Sequence, residues 1–303
     1  MTTDDRRSNA QSTCAALTIQ QASTLLTVPV STLRSWEQRY DLPRTSRTSG
    51  GHRRYTTTAI DEVRLMRDEI ARGKRASEAA VSARLLLEPP GPARRLVDMF
   101  LDAAQAMDPE RVRTCLDEAS DQLGLDASVD EVLMPAMRRI GWRWETGQCD
   151  VGQEHLATEA VRTWLGRIVA FAPQPRRLEP VLLACGPRDS HTLGLDALTA
   201  RLTRADRQCR LLGARTPVAS LVNATRTVEA AAVVITSHLS IGRRPAIEAI
   251  RAAAESGVPV FYAGNAFIDA PTRQRLPATY LGDSIRDAAR IIEAAIESPA
   301  GRG

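Results

Sequence analysis

The chain has 303 residues, of which 43% are hydrophobic and 25% charged; this is the composition of two or three folded units and excludes a mostly disordered chain. No apolar run approaches the roughly 18 residues of a membrane helix, and the polar start Met1–Gln11 is no secretory signal, so a cytoplasmic protein without a membrane partner is expected. The net charge of +4 is concentrated: residues 17–85 hold 12 basic and 7 acidic side chains, residues 86–303 hold 26 and 27, so the positive excess marks one segment of the size of a DNA-binding unit.

Residues 1–16 read as a disordered tail, as do residues 299–303. From there Ile19–Leu26 reads as a short helix with Ala22, Leu25 and Leu26 inward, broken by Thr27-Val28-Pro29. A second helix opens at Ser31-Thr32 and runs to Tyr40, with Leu33 and Trp36 on the core side and Arg34 and Arg39 free to reach DNA. Arg44–Arg54 is basic with Gly50-Gly51 at its tip, the pattern of a wing whose Arg47, Arg53 and Arg54, with the adjoining Tyr55, suit phosphate or minor-groove contact. Thr58 starts a further helix, Ala59–Arg72. The string Thr32–Tyr40 followed by Gly50-Gly51-His52-Arg53-Arg54-Tyr55 resembles the MerR family of transcription regulators, over about 70 residues. That resemblance implies a winged helix-turn-helix at 17–87 with operator DNA as partner. Glu88-Pro89-Pro90-Gly91-Pro92 interrupts the long dimerisation helix usual in that family, so assembly must use a later segment.

Residues 93–172 read as four helices. Leu96, Val97, Phe100, Leu101 and Ala104 share one face of the first; Asp108-Pro109 opens the second and Gly124 ends it. The third, capped by Asp126 or Ser128, runs to about Trp144 with a kink at Pro135. Asp150 and Gln153 form a capping box for the fourth, Val151–Phe171. Trp144 thus ends one helix while Glu154-His155 begins the next, at one end of the bundle. Alone, this W-x9-EH string is a weak signal, and a core tryptophan followed by an acidic helix start is the favoured reading.

After Ala172-Pro173-Gln174-Pro175, residues 178–298 alternate strands (180–185, 209–212, 231–236, 259–262, 278–281) with helices (193–202, 218–227, 245–254, 284–296). The alternation predicts a doubly wound parallel α/β sheet, which binds ligands beyond the carboxyl ends of its strands. There stand Asp189-x-His191-x-x-Gly194, Ser237-His238-Leu239 and Ala263-Gly264-Asn265-Ala266, a set similar to the signature of base-off, His-on cobalamin-binding domains. The resemblance implies His191 as cobalt ligand and Asp189 as its proton acceptor, with Gly194, Ser237, Leu239 and Gly264 around the displaced nucleotide tail; His238 is expected beside the tail and not on the metal. The five cysteines are widely spaced with no C-x-x-C pair, so reduced thiols are expected instead of zinc or disulfides.

The three segments in this order resemble the CarH/LitR-type light-sensing repressors, a multidomain architecture of winged helix-turn-helix, four-helix bundle and flavodoxin-like α/β domain. The resemblance implies adenosylcobalamin as cofactor, no enzymatic activity, and Trp144, Glu154 and His155 over its upper face. It further implies a homo-oligomer, dimer or tetramer, that binds operator DNA in the dark and releases it on photolysis. In some members a histidine follows the cap tryptophan and becomes a cobalt ligand after photolysis; here that position is Glu145. A corrinoid methyl carrier would share the lower-face residues but have no use for a basic wing, and a metal- or drug-sensing MerR protein would lack the α/β domain. A regulator that senses the cobalamin level without light remains the alternative.

Overall fold

The computed structural model describes residues 16–48, 50–87, 91–145, 149–267 and 273–297. Apart from Ala16, the two expected tails lie outside them, as does Glu88–Pro90. Helix α1 (Ile19–Leu26) is held by a Thr18/Gln21 capping box, and α2 is Val30–Tyr40. Ala22, Leu26 and Leu33 are fully buried, but Leu25, expected inward, is 42% exposed: it lies beside the stripe formed by Ala22 and Leu26. Strands β1 (Ser46–Arg47) and β2 (Arg53–Arg54) pair antiparallel as the wing. The next helix, α3 (Thr57–Ala71), is capped by Thr56, whose hydroxyl accepts from the Ala59 amide, and not by Thr58. Helix α4 (Ala76–Leu87) was not foreseen; its alanines Ala79, Ala80 and Ala83 allow close approach to Leu42, Leu65 and Met66. Trp36 packs on both small cores of this N-terminal unit.

Helices α5 (Pro92–Gln105) and α6 (Pro109–Leu123) follow the expected pattern, with Pro in the first turn of each. The third helical stretch begins as α7 (Leu125–Ala127) directly after Gly124, with neither expected side-chain cap in use. Instead of a kink at Pro135 it contains a π-helical turn, Ser128–Leu133, before α8 (Met134–Glu145). Pro135 has no N–H to give and crowds the preceding turn, which widens to absorb the defect. That turn carries Asp130, whose carboxylate accepts from Ser284 Oγ (2.7 Å) and the Ile285 amide (2.8 Å) and so ties the bundle to the last helix. Helix α9 (Val151–Ala170) closes the bundle with Trp164 in its core.

The remaining chain forms a five-stranded parallel sheet in the order β4-β3-β5-β6-β7: β3 Arg177–Cys185, β4 Arg207–Gly213, β5 Ala232–Thr236, β6 Val260–Ala263 and β7 Thr279–Tyr280. Helices α10 (Leu193–Arg204), α11 (Val218–Thr227), α12 (Arg243–Ala254) and α13 (Ile285–Glu297) flank it. The order reverses between β3 and β5, so the loops after these two neighbours form the crevice in which such sheets bind ligands. Helix α10 faces two ways: Leu195, Leu198 and Leu202 belong to the sheet core, while Ala197 and Ala200 belong to the bundle core. The loop after β3 and the bundle are therefore mechanically joined. Among the described residues no helix is long and apolar enough to cross a membrane.

Candidate cofactor site and DNA-binding surface

At the crevice Asp189 is wholly buried. Its Oδ1 accepts from the His191 amide (2.8 Å) and faces His191 Nδ1 at 2.7 Å; its Oδ2 accepts from the His238 amide. Burial pushes this carboxyl up, but the hydrogen bonds from His191 and His238 outweigh it and hold the group below the usual carboxylate range. An ionised carboxylate only accepts, so Nδ1 of His191 carries the proton and Nε2 keeps its lone pair. The same bond to Asp189 raises the His191 pKa, opposed by partial burial, and Glu154 on α9 adds to the rise through space. The His191 side chain is 53% exposed, open to a large partner on one side.

His238 lies with its ring centroid 5.3 Å from that of His191. His238 supplies the amide that fixes Asp189, a role invisible in the sequence because backbone amides carry no residue signature. One ligand atom from each of Asp189, His191 and His238 falls within 4.8 Å of the others, so the cluster could hold a metal.

Ser237 is fully buried, and among the described residues its hydroxyl has no hydrogen-bond partner. A buried hydroxyl without a partner costs free energy, so a group that entered this crevice and bonded it would be favoured. Two glycines press on it. A Cβ at Gly242 would sit 2.8 Å from Ser237 Oγ, and one at Gly264 (φ +105°) would sit 2.2 Å from the Ser237 carbonyl oxygen. Gly264→Ala therefore meets rigid backbone in a conformation foreign to L residues. It is expected to lower stability by about 2–4 kcal/mol, against about 1 kcal/mol for the uncrowded Gly257→Ala, as read by denaturant unfolding. A cavity of about 240 Å³ adjoins these loops, walled by Gly194, Leu195, Leu198, Thr236, His238 and Gly264. Leu239 is half exposed at the rim of the crevice.

On the bundle, Trp144 in the last turn of α8 is 51% exposed, as are its fellow apolar residues Met107 and Val151 to about the same degree. A core position for Trp144 is thus not what the structure has. Glu154 accepts from Thr158 Oγ1 (3.0 Å) and faces His155 Nε2 at 3.5 Å, with His155 itself largely exposed. The side chain of Glu145 is outside the described residues.

In the N-terminal unit Arg34, Arg39 and Arg47 are exposed. Arg53 departs from the expectation of a free phosphate contact: its guanidinium pairs with Glu37 of α2, which also accepts from Thr45 Oγ1 (2.9 Å), so it ties the wing to the recognition helix. Tyr55 is a correction. It is 1% exposed, pushed up to about 12 by burial, and packs in the core, bridging Leu17 through its backbone; its ring cannot touch DNA.

Residues 17–81 match the MerR HTH family of regulatory proteins and residues 96–168 match a B12 binding domain family. The chain is 31% identical to the HTH-type transcriptional repressor CarH of Myxococcus xanthus over 265 residues, 82% of this chain and 88% of that protein. It is 34% identical to the repressor CarA of the same organism over 69% of this chain and 72% of CarA. The Methanosarcina barkeri monomethylamine corrinoid protein superposes on 66% of this chain and 99% of its own with a TM-score of 0.56 at 13% identity, a likeness of fold. A basic winged unit, a helical bundle of the B12-binding kind and a sheet whose crevice presents an aspartate-backed histidine thus occur together in one chain, and the extent of the likeness to CarH and CarA shows that it belongs to their family of cobalamin-binding, MerR-type transcriptional repressors.

Proposed function

We propose that the protein is a light-responsive repressor that uses adenosylcobalamin, binding operator DNA as a cofactor-dependent oligomer in the dark. The observation that carries this reading is the His191–Asp189 pair, with Nε2 free, standing on a loop that α10 couples to the bundle bearing Trp144, Glu154 and His155. Bound, the cofactor supplies a cobalt–carbon bond that visible light cleaves. In this proposal His191 Nε2 ligates the cobalt and Asp189 fixes the tautomer and strengthens the donor. Ser237, with Gly194, Leu239 and Gly264 around it, receives the nucleotide tail, the Ser237 hydroxyl gaining the partner it lacks. Trp144, Glu154 and His155 close over the adenosyl group from the bundle. Arg34, Arg39, Arg47 and Arg54 contact phosphate, and Arg53 positions the wing.

Each isolated wing recruits few phosphates and binds weakly; joining several raises affinity through effective concentration. Trp144, Glu154 and His155 would favour the assembled arrangement only while they have an upper group to hold. Absorbance spectra of the protein with adenosylcobalamin, before and after green light, test the reading. A spectral change accompanied by a fall in mass on a sizing column is expected. Dark and lit samples of equal mass would leave a regulator that senses the cobalamin level.

For the DNA surface, Arg47→Ala and Arg54→Ala are each expected to reduce the salt slope of binding to duplex DNA by about one phosphate's worth per unit. Arg53→Ala should cost more affinity than either, because the wing loses its tie to Glu37. Fluorescence anisotropy across a salt series reads both; an unchanged slope in Arg47→Ala and Arg54→Ala removes these residues from the interface.

A further inference from the structure

The cavity beside Thr236, His238 and Gly264 is not walled by the sheet and bundle alone. Leu65, Asp68 and Arg72, from the last turns of α3 in the DNA-binding unit, complete it opposite Leu198 and Gly264. Around this wall the contacts are polar. Arg72 pairs with Asp283, which precedes α13, at 3.0 Å, and with Glu69 at 2.5 Å. The Arg72 carbonyl accepts from Arg273 Nη2 at 2.8 Å. Arg138 of α8 lines the same cavity; burial lowers its pKa and Arg72 adds to that, while Asp283, Glu69 and Asp68 oppose it. One unit thus brings Asp68, Glu69 and Arg72; the rest of the chain brings Arg138, Arg273 and Asp283.

Between Arg72 and the segment before α13 the contact is made by ion pairs and a carbonyl, and such contacts between units are of the kind that opens. Closed in this way the cavity has about 240 Å³, below the roughly 300–1,000 Å³ of pockets that enclose organic ligands. The exposed Arg34, Arg39 and Arg47 take no part in the contact, so the DNA-binding face stays open while α3 is docked.

We propose that the C-terminal end of α3 is a removable wall of the tail pocket, latched by Arg72 to Asp283, so that seating the nucleotide tail and undocking the DNA-binding unit are one equilibrium. This rests on the cofactor reading above. Binding competence then belongs to the undocked fraction, and apparent affinity scales with that fraction. Undocking also lets the unit swing to the spacing that a neighbouring copy on DNA requires. By reciprocity, whatever favours the undocked unit favours cofactor uptake by the same factor.

The full-length chain with Asp283→Asn, and separately with Arg72→Gln, tests the latch. Stopped-flow absorbance in the dark follows adenosylcobalamin uptake, and small-angle scattering of the cofactor-free chain follows docking. Loss of one partly buried ion pair is expected to raise apparent affinity roughly three- to tenfold, and to enlarge the radius of gyration before any cofactor is added. Unchanged or weakened uptake in Asp283→Asn, or a cofactor-free chain as compact as wild type, overturns the latch. His191→Ala separates the two ideas. If it loses the cofactor while Asp283→Asn behaves as wild type, the latch falls and the cofactor site stands. If no variant, nor wild type, takes up cobalamin, both fall.

Discussion

His191→Ala is expected to leave all three units folded and to reduce cobalamin retention at least about a hundredfold, since even partners behind a metal ligand are worth about 10–100-fold. The side chain is half exposed and contributes little to any core, so circular dichroism and thermal unfolding should hardly change. Asp189→Asn should fall between the variant and wild type. Its amide can still be positioned, but it no longer holds the His191 proton on Nδ1 as an ionised acceptor does. Affinity should also depend on pH. The bond to Asp189 raises the His191 pKa, so the imidazolium–carboxylate pair contributes stability below the ordinary histidine value, and this is lost as pH rises through the raised one. Cobalt and proton compete for Nε2. Cobalamin affinity should therefore decline on acidification from a pH above about 6.5, while folding stability does not follow it. Equilibrium dialysis with hydroxocobalamin between pH 5 and 9 reads both effects. Wild-type retention in His191→Ala, or a flat pH profile in wild type, would refute the ligand assignment.

Trp144→Ala should have the opposite signature: cofactor retained, assembly lost. The ring is 51% exposed at the end of α8, so truncation empties no core and stability should move by less than about 0.5 kcal/mol. If instead the ring stacks on the adenosyl group, its removal forfeits about 1–3 kcal/mol of contact that only the loaded state makes. That is enough to shift a dark assembly equilibrium roughly five- to hundredfold. Sizing-column mass in the dark and after green light distinguishes the cases. A variant that assembles and dissociates like wild type would reduce the W-x9-EH string to a helix end and a helix start.

Much of this was readable along the chain. The wing glycines, the Asp108-Pro109 and Asp150/Gln153 helix starts and the alternation after residue 178 are local patterns with local causes, and they recur within a few residues of their expected places. Pro135 announced a defect but not its form, since a kink and a π turn cost the same lost hydrogen bond and packing chooses between them. Helix α4 escaped because its alanines make a weak amphipathic signal, and they bury only because α3 lies against them. Tyr55 and Arg53 misled for a related reason. Tyr55 bridges Leu17 and Arg53 meets Glu37 of α2, partners 38 and 16 residues away that composition cannot express.

The cofactor loops show the division most sharply. Asp189, His191, Ser237 and Gly264 were identifiable by type and spacing, because the chemistry restricts which side chains can serve. Their convergence needed the reversal of strand order between β3 and β5, the His238 amide on Asp189, and two glycines pressed against Ser237. Glu154 near His191, α10 shared between two cores and α3 closing the tail cavity involve partners far apart in the chain. Such contacts come from burying apolar faces against one another, a long-range competition that local pattern and propensity do not record, whereas helix starts, turns and ligand chemistry are decided within a few residues and stay legible in one dimension.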